Sequence, residues 1–564
     1  MPTLNFRRRA AKKWVAALSW PAPNTNGPNC AAKANKTRDM HALCALAALS
    51  GAFAAPLLGN LQVEGLFAPL ATITAPRFSW QTGAAQLSYQ LLVSSTFPSP
   101  ALLWDSGVVP SNASWLIPYS GGAPLPSDAD FTWEVRATLQ GIGLVAASAT
   151  FSTAPPAPLP GAWLGFADTL RGAAALPPTP ILRARLHVTG VGCYQAYVNG
   201  ALVSPPLAPG FGHAPSARAL FDTYDVARLL RAGGENVVGL RLGSCKWGAW
   251  GQYCSGTPAQ CNAGWAALVV DQGGCPRATL ATGPAWAAAN TSVLFQHLWH
   301  GELTDARLEQ EGWAAPGFAN ASAWAPAAVV DTADSVGPLG PSRAPPVDAG
   351  APLTPATVTA LPSGPHVFDL GANVAGSCGV ELAPPAGEAP APSGAVVTLL
   401  HGEVLHANGS VWNHYLPPGG THQPNGLNQP QMNYTYIARG GGREFAHGPR
   451  FAFFGFRYIE LRGWPYAAAP TPAALRCSFI HTALPPTAAV AFPSAPLLNT
   501  LQEAVLRTHL SNYVTVPTDC PQREKRGWVR RPLFLGALVA APHLASRLSL
   551  PPHPPPPLTP PSLF

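Results

Sequence analysis

Proline and glycine break this chain into short pieces. Of its 564 residues, 65 are proline and 54 are glycine. Proline removes a helical hydrogen bond and clashes with the preceding turn, while glycine raises the entropic cost of a helix. Long helices are therefore disfavoured, and many short strands joined by turns are expected. Hydrophobic residues make up 47% of the chain, enough for packed cores. At roughly 150 residues per domain, the length suggests about four domains.

A formal charge of +7 invites a polyanionic partner, but the location of the charge argues against one. Residues 1–55 hold eight basic groups (Arg7, Arg8, Arg9, Lys12, Lys13, Lys33, Lys36 and Arg38) and one acid, Asp39. The remainder carries 26 basic and 26 acidic residues. A neutral body gives nucleic acid no basic face to bind. Ala42–Ala55 is almost wholly apolar and ends Gly-Ala-Phe-Ala-Ala. That pattern is expected of a signal peptide with a small-residue cleavage point, and it is too short to span a membrane. Met40 fits as its start. Secretion is the expectation, with an organelle transit peptide as the alternative.

Cysteine usage agrees with export. Beyond Cys30 and Cys44 there are eight: Cys193, Cys245, Cys254, Cys261, Cys275, Cys378, Cys477 and Cys520. Four crowd into Cys245–Cys275 with no Cys-x-x-Cys pair, so loop disulfides are expected rather than zinc. His401 and Glu403 lie at i, i+2 on one predicted strand, which makes no convincing metal site. No cofactor is expected. Asn112, Asn290, Asn320, Asn408 and Asn433 each sit in an acceptor sequon.

Taken in order, residues 61–153 read as a small β-sandwich. Leu87–Val93 and Phe131–Ala137 alternate apolar and polar residues. Core packing explains at least two of Trp80, Trp104 and Trp133 better than sugar stacking does. Residues 160–333 form a second unit. Leu182–Val188 alternates strictly, and Tyr194–Val198 runs into Asn199-Gly200, a hairpin turn signal. Asn199, Asp225 and Trp247 are weighed as sugar contacts, but turn and cap chemistry accounts for the first two. A linker rich in Pro, Ala and Gly covers 334–364, and a further sandwich covers 365–482. Its polar residues Asp369, Asn373, His401 and Glu403 lie in apolar strands and should knit the sheet. Leu498, Leu501 and Val505 then change to helical spacing, with Ser494 as a candidate cap and Pro496 near the first turn.

This helix leads into Val516–Trp528, read as Val-Pro-Thr-Asp-Cys-Pro-Gln-Arg-Glu-Lys-Arg-Gly-Trp. Asp519, Arg523 and Glu524 fall within six positions, and Pro517 and Pro521 stiffen the backbone. Charges crowded into a rigid, non-helical segment suggest a loop that faces a ligand. A salt-bridged surface turn is the plainer alternative.

The run Asp519-Cys-Pro-Gln-Arg-Glu-Lys-Arg-Gly-Trp528 resembles the signature of the bacterial-type α-L-rhamnosidases, a family of inverting glycoside hydrolases. The preceding units resemble that family in the same order over about residues 61–528. They correspond to its fibronectin-III-like β-sandwich, its amino-terminal jelly-roll-like domain, a second β-sandwich and, from 494 to 531, the start of an (α/α)₆ barrel. The expected fold is thus multidomain and mainly β, with a barrel stub. By resemblance, Glu524 matches the general acid. Asp519 and Arg523 match residues that hold rhamnose hydroxyls, and Trp528 matches an aromatic wall. The implied substrate is a rhamnose-containing glycoside or polysaccharide. The family signature continues Thr-Gly-Asp, whereas this chain reads Val529-Arg530-Arg531, with Arg531 where the last Asp belongs. The water-activating glutamate lies late in the family's barrel, and no residue here matches it. Residues 532–564 read as a Pro-rich, disordered tail. The chain as written is expected to be incomplete and inactive. The alternative is a carbohydrate-binding β-sandwich protein without catalysis.

Overall fold

The structure is a computed structural model that describes residues 57–205, 207, 218–243, 245, 263–273, 276–319, 323–331, 336–413, 432–484 and 490–525. The expected signal peptide and Pro-rich tail lie outside the described residues, as do Trp247, Trp528 and Arg531.

The first unit pairs Leu58–Val63, Arg77–Thr82 and Ile117–Pro118 in one sheet, and Ala101–Asp105, Gln86–Phe97, Asp130–Leu139 and Gly143–Ser152 in another. Burial alternates along Asp130–Leu139, so every second side chain enters the space between the sheets. Phe78, Trp80, Phe131, Trp133 and Phe151 fill that space, with Trp104 partly buried against them. The three tryptophans are core residues here, and the Trp80 indole donates to the Gln86 amide oxygen at 2.8 Å.

The second unit faces two sheets across Leu186, Val188, Tyr194, Leu240 and Trp286. Strict alternation in its strand Arg183–Val191 implies one wet face, yet all nine residues are buried. The first unit covers the polar face. Arg183 pairs with Asp128 at 2.6 Å and with Asp130 at 3.1 Å, and Arg185 reaches Asp130 at 3.3 Å. Asn199 and Gly200 have φ of 51° and 87° between Val198 and Ala201, the paired left-handed geometry a two-residue hairpin requires. The Asn199 side chain bonds the Leu229 carbonyl and accepts from the Val237 amide, so it serves this turn. Asp225 accepts from the Ala227 amide and pairs with Arg185.

The third unit is built on a nine-stranded sheet. Two of its strands, Val293–His297 and Gly301–Asp305, come from earlier in the chain. Gly301–Asp305 runs parallel to Asn433–Ile437. The long strand His366–Leu382 changes register between Asp369 and Val374, pairing Phe454–Arg462 along most of its length and Leu475–Phe479 near its end. A disulfide joins Cys378 to Cys477 directly across that second pairing. A second disulfide joins Cys193 to Cys245. Cys254, Cys261 and Cys275 lie outside the described residues. Arg457 grips the Asp369 carboxylate through two 2.7 Å bonds, and Asn373 donates to Glu403 at 2.7 Å. His401 is fully buried between the Phe454 and Phe456 rings, with Nδ1 3.1 Å from the Met432 carbonyl. Burial pushes its pKa down to about 4.

A helix, Pro496–Ser511, follows. Pro496 occupies its first turn, which places the cap at Ala495 rather than at Ser494. The Asn499 side chain ties back to the Phe492 amide and carbonyl instead. Among the described residues no helix is long and apolar enough to cross a membrane.

Candidate active site

The helix stops at Asn512, and the chain turns through the small hairpin Tyr513–Val514 and Val516–Pro517. Thr515 between them has φ of 65°, and its amide is held by the Thr482 hydroxyl at 2.8 Å. Val514 is wholly buried in a cluster with Trp299, Phe453 and Ile480, so the hairpin is seated on the sandwiches. Next comes a single turn. The Lys525 amide donates to the Cys520 carbonyl at 3.0 Å, and the Glu524 amide lies 3.2 Å from Cys520 Sγ.

Three contacts fix this turn from below. Pro521 is buried against Gly455, where an added Cβ would sit 2.8 Å from Pro521 Cγ. Only glycine lets the loop backbone come so close. The Trp299 indole donates to the Arg523 carbonyl at 2.6 Å. Lys525 has no exposed surface; its Nζ donates to the Leu298 carbonyl at 2.7 Å and the Phe453 carbonyl at 2.6 Å, over the Phe453 and Phe454 rings. Leu298 and Trp299 belong to a turn that is itself organised by His297, whose Nδ1 accepts the Trp299 and His300 amides at 3.3 Å. Burial, then the charges of His300 and Lys525, push the His297 pKa down to about 3, keeping that nitrogen free to accept.

With the backbone held from beneath, the charged side chains point outward. Arg523 donates to Glu524 at 2.8 Å, and both remain partly exposed. The Glu524 carboxyl is raised above the ordinary range. Its hydrogen bond to Asp519 is the largest cause, followed by burial and by the Asp519 charge, while Arg523 opposes them. Arg523 alone would make Glu524 a weaker proton donor. Asp519 is the neighbouring anion that reverses the sign. Asp519, Arg523 and Glu524 are thus brought together in one partly exposed cluster able to hold a proton and offer it to a bound group.

Sequence reasoning missed Trp299, Lys525 and Gly455. Trp299 and Gly455 are remote in sequence from the loop they support. Lys525 sits within a charged run, where solvation is the ordinary assumption, and no sequence signal pointed to its burial. Among the described residues, no three His, Cys, Asp or Glu side chains converge on a metal-sized point.

Successive β-sandwich units thus lead through one helix into a carboxylate-bearing turn. Residues 58–155 match the Rha78A-like, N-terminal immunoglobulin domain, and 179–349 match the alpha-L-rhamnosidase N-terminal domain. Residues 359–481 match the bacterial alpha-L-rhamnosidase concanavalin-like domain, and 488–532 match that family's 6 hairpin glycosidase domain. The chain belongs to the bacterial-type α-L-rhamnosidase family. An alpha-L-rhamnosidase of Streptomyces avermitilis is 31% identical over 373 residues, covering 64% of this chain and 33% of that protein. One from an Alteromonas species is 27% identical over 500 residues, 82% of this chain and 51% of its own length. The chain therefore spans about half or less of these relatives. The solved Streptomyces avermitilis alpha-L-rhamnosidase complexed with L-rhamnose superposes with a TM-score of 0.70 at 23% identity, over 84% of this chain and 62% of that one. The alpha-L-rhamnosidase structure from Dictyoglumus thermophilum gives 0.69 at 24%, over 84% and 54%. At these identities the superpositions establish the fold.

Proposed function

We propose that this chain carries the proton-donating side of an inverting α-L-rhamnosidase site, acting on terminal α-L-rhamnose of a glycoside or polysaccharide. Inversion needs a protonated carboxyl at the leaving oxygen and a second carboxylate, about 6.5–9.5 Å away, to activate water. Glu524 is the donor. The observation that carries the reading is its raised carboxyl, held by Asp519 against the opposing guanidinium of Arg523. Asp519 and Arg523 also present the acceptor and donor that sugar hydroxyls need, and by the family resemblance Trp528 matches an aromatic wall. The names of the curated relatives support the substrate. Secretion is part of the proposal, supported by the disulfides Cys193–Cys245 and Cys378–Cys477.

The test uses purified residues 56–564, with L-rhamnose as the binding probe and an aryl α-L-rhamnoside as the reporter. L-Rhamnose is expected to bind, and Asp519→Ala to weaken it about tenfold or more. No aryl alcohol should be released, because the water-activating carboxylate has no match here. Binding that ignores Asp519 overturns the site and favours sugar binding by the sandwiches. Release that depends on Glu524 keeps the donor but overturns the half-site.

A further inference from the structure

A cavity of about 540 Å³ opens between the 65–71 turn, the strand Ala219–Asp225, the 342–346 connection and the 515–516 hairpin, with Pro205 and Ala483 completing the lining. Asp519, Arg523 and Glu524 take no part in it. Its size is that of a small-molecule site. The cavity follows from how the strand Ala219–Asp225 is paired. One edge pairs Arg185–Val188 through residues 222–225, and the other pairs Leu339–Pro341 only through residues 219–221. After Pro341 the chain departs at Ser342, whose amide still donates to the Phe221 carbonyl at 2.8 Å. Beyond that point the second edge of residues 222–225 has no strand partner among the described residues, and the cavity fills the gap.

The walls are apolar, including Leu66, Phe67, Leu220, Pro345 and Val516, and Phe67 is half exposed. The polar end is Asp222. The Tyr194 hydroxyl donates to its carboxylate at 2.5 Å, the Ser342 hydroxyl bonds it as well, and the Tyr224 hydroxyl lies 3.1 Å from that of Tyr194. Asp222 is deeply set, yet part of its surface remains open, and it lines the cavity. Loss of water raises its pKa to about 6, so it is largely ionised at neutral pH. A carboxylate offers about four acceptor positions, and these two hydroxyls leave some vacant.

Among the described residues, no Lys, Arg or His lines the cavity. Arg185, on the neighbouring strand, is committed to Asp225 at 2.7 Å and to Asp130. A desolvated anion without a counter-charge is costly, and a ligand that brings a positive charge relieves that cost. The aromatic residues Phe67 and Tyr224 in the lining suit a cation as well. An anionic ligand would meet only the like charge of Asp222.

We propose that this cavity binds a small organic cation, its ammonium seated on Asp222 and its apolar body, about one ring in size, against Phe67, Leu220 and Pro345. Nothing in the rhamnoside reading uses the cavity, so the two stand or fall separately.

The experiment titrates the disulfide-intact chain with benzylammonium and with benzyl alcohol, its neutral isostere, by ligand-observed NMR. Benzylammonium is expected to bind about tenfold more tightly than the alcohol, an electrostatic difference of ordinary size. Asp222→Asn should bring the two ligands within about twofold of each other. Should that variant fail to fold, Leu220→Trp fills the apolar end and should weaken benzylammonium while leaving Asp222 in place. Equal binding of the two ligands by the unaltered chain overturns the proposal, as does no binding of benzylammonium. An undiminished preference in Asp222→Asn, or binding untouched by Leu220→Trp, overturns it too.

Discussion

Glu524 and Arg523 are adjacent in sequence and bonded in space, so the electrostatics of the site turn on one further residue. Asp519 shares a hydrogen bond with Glu524 that forms only when one of the two carboxyls carries a proton, and it raises Glu524 for that reason. Asp519→Asn removes the anion and leaves Arg523 in place. The Glu524 carboxyl should then titrate lower than in the unaltered chain, as read by carbon NMR of the labelled side chain. A titration that stays in place or rises removes Asp519 from the account. Gly455 acts through shape rather than charge. An alanine there would meet Pro521 Cγ at 2.8 Å, the Gln522 amide nitrogen at 3.0 Å and Gln522 Cβ at 3.1 Å. A proline ring and a backbone atom yield poorly, so Gly455→Ala should cost about 1–3 kcal/mol. It should also weaken L-rhamnose binding. Thermal unfolding and a rhamnose titration together check this, and an unchanged melting temperature would show that the loop gives way freely.

Among the elements, the turn 297–300 and the loop 519–525 are one device in two pieces. The loop supplies Lys525 and the Arg523 carbonyl; the turn supplies the Leu298 carbonyl and the Trp299 indole. Lys525→Met keeps the length of the side chain but leaves the Leu298 and Phe453 carbonyls without that donor. Each buried acceptor left unsatisfied costs about 1–3 kcal/mol. Amide exchange at residues 520–525 should quicken about tenfold or more, because a local opening made easier by 1.4 kcal/mol is tenfold more populated. Exchange at the unaltered rate would mean that Pro521 on Gly455 suffices to hold the turn. The elements also mark how far the sequence could be read. The strand Arg183–Val191 and the Asn199-Gly200 hairpin were legible because their signals are local, in side-chain alternation and turn stereochemistry. The charged run Asp519–Glu524 was legible as a non-helical segment for the same reason. That both faces of Arg183–Val191 are buried was not, since the covering carboxylates Asp128 and Asp130 come from another unit. The support beneath Glu524 was hidden likewise. Trp299 lies 224 residues from its partner Arg523, and Lys525 lies 227 from Leu298. Leu498, Leu501 and Val505 read as helical from their spacing, and the helix formed, yet they are 43%, 58% and 48% exposed. Spacing reveals that a face is apolar but not what covers it.

For the molecule as a whole, three buried histidines set the response to acid. His187 and His297 are pushed down to about 3 and His401 to about 4, in each case chiefly by burial. They lie in separate places: His187 in the strand facing the first unit, His297 beneath the candidate site, and His401 in the core of the third unit. In the unfolded chain each takes a proton near pH 6.5. A folded pKa below the unfolded one means that the unfolded state binds more protons between the two values, so stability rises with pH across that window. The stabilising contribution is complete above about pH 6.5 and is lost progressively down to about pH 3–4. Each histidine accounts for roughly 3–5 kcal/mol at full loss, as shifts from 6.5 to about 3 or 4 imply. Asp222 acts in the opposite sense. Its folded value of about 6 exceeds the unfolded one, so it gains stability on acidification and offsets part of the first loss. Among the groups whose shifts are this large and that titrate between pH 5 and 7, three histidines against one carboxylate leave the balance falling. The melting temperature should drop by several degrees between about pH 7 and pH 5, and His401→Gln should flatten that slope by about a third if it folds. Calorimetry across this range decides the matter. A melting temperature that stays level or rises on acidification would show that these histidines take up protons in the folded chain as readily as in the unfolded one, which the packing of His401 between Phe454 and Phe456 does not allow.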